Sequence, residues 1–121
     1  MKRIGLRYID DCPVLSKDND EFKQWYNTSL PIDRFKLEDS QSLSFASVVK
    51  RGDIFLIFRE NFASIEDKLE FSLDFDAYAE NIKIKDYPTI LDQLYSLNHQ
   101  EWELSIKEPV KDYMRNKDDS V

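Results

Sequence analysis

The chain has 121 residues, a length that suits one domain around one core. Hydrophobic residues make up 41% of it and there are only two glycines, which is enough for a packed interior and excludes a low-complexity chain. The formal charge of −7 argues against a general nucleic-acid surface, because such a surface needs clustered Lys and Arg to displace counterions.

No apolar run reaches the length needed to span a bilayer, and the opening MKRIGLRYIDD shows no secretory signal, so no membrane partner is expected. Cys12 is the lone cysteine, which excludes an internal disulfide and fits a reducing compartment. The expected location is therefore the cytoplasm.

Lys2–Asp10 alternates like a strand. Ile4, Leu6 and Tyr8 share one face, and Arg3, Gly5 and Arg7 the other. Arg3 and Arg7 lie about 13 Å apart along an extended strand, too far to chelate one small anion unless the strand bends. Cys12–Pro13 ends the pattern, since proline cannot donate to a ladder.

A short helix is expected within Lys17–Thr28, capped by Asp18 or Asp20. Its stripe of Phe22, Trp25 and Tyr26 reads as an aromatic lid over the core. An irregular segment follows from Leu30–Pro31 to about Asp39.

Gln41–Lys50 and Asp53–Asn61 read as antiparallel strands joined at Arg51–Gly52, where glycine supplies a positive φ. Ile54, Leu56 and Phe58 alternate with Phe55 and Ile57, so the second strand is apolar on both faces. Such a strand is expected to be central and covered on both sides. The cover would be the aromatic lid, a partner subunit or a missing part of a larger protein.

Lys68–Tyr78 has the cleanest alternation. Leu69, Phe71, Leu73 and Phe75 point inward, and Glu70, Ser72, Asp74 and Asp76 outward. Tyr87–Ile106 is the longest periodic segment and reads as one amphipathic helix, with Asp86 as a candidate N-cap and Pro88 in its first turn. Leu91, Leu94, Trp102 and Ile106 are its expected core anchors. Asn98 and Glu101 interrupt the apolar arc: either the helix tilts and both reach water, or they make polar contacts with the sheet. Pro109 is expected to limit the helix. A further short helix carries Val110, Tyr113 and Met114, ahead of a disordered polar tail over 117–121.

The chemistry-bearing inventory is thin. His99 is the sole histidine and reads as a surface or packing residue. A Cys12–His99 dyad has no support from spacing. No phosphate-cradling glycine loop or zinc spacing is present, so no cofactor, metal or catalytic set is expected. Asp74 and Asp76 form the best acidic pair, about 7 Å apart on one strand face. Hard cations are often held by one or two carboxylates and such a pair can serve acid–base work, while exposed acids on a strand's polar face are also ordinary. Arg3, Arg7 and Arg59 are candidates to pair with them, so the speculative ligand-binding set is Arg3, Arg7, Asp74 and Asp76.

Three pieces, RIGLRYID at Arg3–Asp10, LDFDAY at Leu73–Tyr78 and the segment Leu91–Met114, resemble the C-terminal half of a sporadically distributed family of uncharacterised prokaryotic proteins. Arg3, Gly5, Leu6, Arg7 and Tyr8 match its Arg-x-Gly-Leu-Arg-Tyr-Ile strand. Leu73, Asp74, Asp76 and Tyr78 match its Leu-Asp-x-Asp-x-Tyr strand. Leu94 and Trp102 match the Leu and Phe of its closing helix, while Tyr95 stands where that pattern has histidine. Members of that family are roughly twice this length, so the resemblance implies a short gene, a fragment or an expressed domain without the half that normally precedes the arginine strand, and it implies no reaction.

The expectation is one α+β domain over 1–116: a four-stranded antiparallel sheet, a long C-terminal helix packed on one face, and short peripheral helices. The leading functional expectation is a non-enzymatic interaction or regulatory module that forms a homo-oligomer or meets a missing N-terminal half. The alternative is a small-ligand-binding or metal-dependent enzyme domain using the Arg/Asp sheet face.

Overall fold

A computed structural model describes residues 2–119, with side chains described through Asn116. Four strands, β1 (Arg3–Cys12), β2 (Ser42–Arg51), β3 (Ile54–Ile65) and β4 (Lys68–Glu80), form one antiparallel sheet in the order β1-β4-β3-β2. Helix α1 (Asn19–Trp25) follows β1, and helices α2 (Tyr87–Ser105) and α3 (Glu108–Asp119) close the chain. The α+β architecture is the expected one, with the long helix α2 packed over β1 and β4.

The register explains the core. Leu6, Ala77 and Leu56 lie side by side across three strands, as do Tyr8, Phe75 and Phe58, and Cys12, Phe71 and Phe62. Alternation puts all of these on one face. Leu56, Phe62, Phe71, Phe75 and Ala77 are buried there, each large side chain contributing roughly 1.5–3 kcal/mol of transfer free energy.

Two tight turns set this register. Gly52, at φ 63°, opens the β2–β3 turn. The β3–β4 turn uses Glu66 and Asp67 at φ 48° and 67°, a twist that suits hairpins but is built here without glycine.

The lid lies on the same face as α2. Asp18 caps α1 by accepting from the Asp20 and Glu21 N–H groups. Phe22 and Tyr26 pack edge-on against Phe71, with ring centroids 4.9 Å and 4.7 Å away. Asn27 N–H donates to Ser105 O and Lys107 N–H to Trp25 O, which ties the lid to the α2–α3 junction.

Four expectations need correction. Asp86 stands at the start of α2, but its side chain makes no capping bond, because a 3₁₀ turn over Ile84–Asp86 runs directly into the helix. Pro109 does not limit α2, which ends at Ser105; it sits in the first turn of α3, where a missing N–H costs nothing. Leu91 is not a core anchor: it is 42% exposed, whereas Leu94 and Ile106 are buried and Trp102 is half-buried. Leu91 lies on the flank of α2 that reaches the β1 edge, where no further strand exists to cover it. Finally, of the covers expected for the second face of the central strand β3, the aromatic lid is excluded: it lies on the α2 face, and among the described residues no helix packs on the other face of the sheet.

The chain expected as a tail remains helical in α3 as far as Asp119, and Ser120 and Val121 lie outside the described residues.

Candidate functional site

The uncovered face carries the residues singled out from sequence. Alternation and register place Arg3, Arg7 and Ile9 of β1 beside Asp74, Asp76 and Tyr78 of β4, then Phe55, Ile57 and Arg59 of β3, then Val48 and Lys50 of β2. At its centre Asp74 is bound by two arginines. Arg7 Nε donates to Asp74 Oδ1 at 3.1 Å and Arg7 Nη2 to Oδ2 at 2.7 Å, a two-pronged fork. Arg59 Nη1 donates to the same Oδ2 at 3.3 Å.

These contacts bury Asp74, although its position alternates with the core residues. The Arg7 hydrogen bonds, helped by the charges of both arginines, hold the Asp74 carboxyl below the usual range, while desolvation pulls the other way. With both oxygens already bound to guanidinium groups, Asp74 is a poor ligand for a hard cation. Among the described residues no group of three His, Cys, Asp or Glu side chains is placed to hold a metal ion.

Arg3 does not join this cluster. Its guanidinium lies over the Tyr78 ring, 3.8 Å from the centroid. Asp76 faces Arg7 and Ile57 in register and adds to the negative field that raises the Arg7 pKa, behind the larger Asp74 contribution. Beside the cluster lies an apolar patch of Phe55, Ile57, Tyr78 and Val48, bordered by polar and charged positions. Phe55 stacks on Tyr78 at 5.2 Å, and Ile9 and Val48 are 54% and 63% exposed.

Sequence reasoning missed Glu60. It sits on the covered face, 1% exposed, accepting from Thr28 Oγ1 at 2.9 Å and from Ser29 N–H at 2.7 Å. Burial pushes its carboxyl up, partly offset by those two bonds. The side chain pins the segment after α1 to β3, and no spacing within Ile54–Asn61 signals that role.

A second surface lies where α2 meets β1. Asn98 and Trp102 anchor the helix to the strand: Asn98 Nδ2 donates to Leu6 O at 2.9 Å and Trp102 Nε1 to Asp10 Oδ2 at 2.7 Å. Asn98 therefore makes a polar contact with the sheet. Glu101 is only partly buried and stands 3.6 Å from Arg51. Tyr8, Tyr95, His99 and Trp102 line a cleft of about 420 Å³ between these elements.

His99 is exposed, stacked between Tyr95 and Trp102. Cys12 packs in the core, with Sγ 3.6 Å from Asp10 O, and burial pushes its thiol well above the ordinary range. A thiol held in that state is a weak nucleophile. No helix of the described residues is long and apolar enough to cross a membrane.

Comparison with protein-family models, curated proteins and solved structures gives no match.

Proposed function

We propose that this domain is a non-enzymatic interaction module that self-associates through the open face of its sheet. One observation carries the reading: β3 is apolar on both sides, and only one side is covered among the described residues. Phe55, Ile57 and Tyr78 stay half-exposed, with Val48 beside Ile57, while Ile9 stands exposed across the Asp74 cluster. Contiguous apolar surface of this kind marks interaction sites.

Size and charge favour a second copy. A face four strands wide and ten residues long measures about 19 Å by 33 Å. That area is on the order of one side of a standard interface, ~800 Å². Arg3, Lys50 and Arg59 alternate with Asp76, Glu70 and Glu80, so the face offers both signs to a copy of itself, as a twofold interface requires.

Light scattering across a concentration series tests this. The expected result is a dimer that the variant Val48→Glu converts to a monomer with its melting temperature little changed, since Val48 is 63% exposed. A clean monomer at high concentration would remove self-association.

A further inference from the structure

The cleft between α2 and β1 meets the open sheet face only at Arg7, and beside it lies an unmet demand. Asn98 is 4% exposed, and its Oδ1 is a buried polar atom without a hydrogen-bond partner. The orientation of the amide follows from chemistry. Leu6 O can only accept, so the nitrogen must face it, and the oxygen is left on the other side. An orphaned buried acceptor is a standing cost to the fold, recovered when a donor reaches it.

We propose that this cleft binds an alkylammonium group, the protonated end of an amine carried on an apolar chain. Three observations select that chemistry. The walls include the rings of Tyr8, Tyr95 and Trp102, aromatic types whose π faces attract cations and accept an apolar stem, with His99 stacked between the last two. The unpartnered atom is an acceptor, so the ligand must bring a hydrogen-bond donor, which an alkylammonium supplies through its N–H groups. The formal charge at the Trp102 end is the Asp10 carboxylate, which attracts a cation and repels an anion. Arg7, which also borders the cleft, has its guanidinium committed to Asp74. An anionic ligand would meet the Asp10 carboxylate and bring no donor to Asn98 Oδ1, and a purely apolar one would also leave that atom unsatisfied.

Entry needs only local motion. Tyr95 is 64% exposed and rests against His99 at a centroid distance of 6.1 Å, so its ring is free to turn aside without disturbing the core. The volume of about 420 Å³ falls within the range of small-ligand sites.

The amine comes either from a free small molecule or from a lysine side chain of a protein. An NMR titration of the full chain with n-butylamine near neutral pH tests the site and separates these sources. Saturating shifts are expected at the Trp102 indole and His99 ring, with Trp25 unaffected as the internal control. n-Butanol, without the charge, and n-butyltrimethylammonium, without N–H groups, should each bind about tenfold more weakly.

Tyr95→Ala should weaken butylammonium binding several-fold while leaving the melting temperature unchanged. A peptide with a single lysine binding more tightly than butylamine supports the site and assigns it to a protein partner; the reverse order supports the site and assigns it to a free amine. The proposal is overturned if no saturating shift appears, if butanol or the quaternary amine binds as well as butylammonium, or if Tyr95→Ala binds as the wild type does.

Discussion

Two buried carboxylates lie on opposite faces of the same sheet and respond to pH in opposite senses. Asp74 is held below its usual pKa by Arg7 and Arg59, so its stabilising contribution is present above its unfolded value of about 3.9 and is lost as pH falls through the lower folded value. Asp74→Asn should destabilise by about 1 kcal/mol near neutral pH, below the roughly 1.5–3 kcal/mol usual for charged hydrogen bonds because Arg7 is half exposed to solvent. Thermal melts of both proteins should converge as pH drops below about 4.

Glu60 has a raised pKa, so its stabilising contribution is complete below its unfolded value of about 4.3 and declines as pH rises through the folded value. Glu60→Gln lacks that titration. Relative to wild type it should be more stable at pH 7 than at pH 4, and an equal offset at both values would show that Glu60 is not strained by burial. The polarity of these positions was visible in the sequence, but their burial was not. Asp74 occupies a solvent-type slot and is buried by arginines 67 and 15 residues away in the chain.

At the level of elements, periodicity located the strands and the long helix because each has one face committed to the core. Pairing was less legible. The N-terminal strand joins the last one, and nothing in Arg3–Cys12 names β4 as its partner. The Glu66–Asp67 turn hides the β3–β4 hairpin, since glutamate is not a residue that signals φ > 0.

The wheel for α2 was right in outline and rotated in detail, because the helix rests on β1 at a sheet edge and one flank of its apolar arc has nothing beneath it. Paired substitutions test that geometry. Leu94→Ala, at a fully buried position, should cost about 2–5 kcal/mol in denaturant unfolding. Leu91→Ala, three residues earlier, should cost less than about 1 kcal/mol. Comparable losses at the two positions would contradict the edge placement.

For the whole molecule, the distribution of cover is the main fact. All three helices serve one side of the sheet, through Leu94, Phe22 and Val110. The other side is held by pairs within itself: Arg7 with Asp74, Arg3 over Tyr78, and Lys50 5.8 Å from the Phe55 ring. The two-sided apolar pattern of Ile54–Phe58 was legible in the sequence. The identity of its cover was not, because a cover outside the chain leaves no mark on periodicity. The self-association proposed above would seat a second copy on the patch of Phe55, Ile57, Tyr78 and Val48 beside the Asp74 cluster.

The most direct test of that interface is an isotope-filtered NOE experiment on a mixture of labelled and unlabelled chains. Self-association through the open face predicts intermolecular NOEs from the methyl groups of Ile9, Val48 and Ile57. Intermolecular NOEs confined to the helical side, such as from Leu91 or Leu104, or none at millimolar concentration, would contradict it.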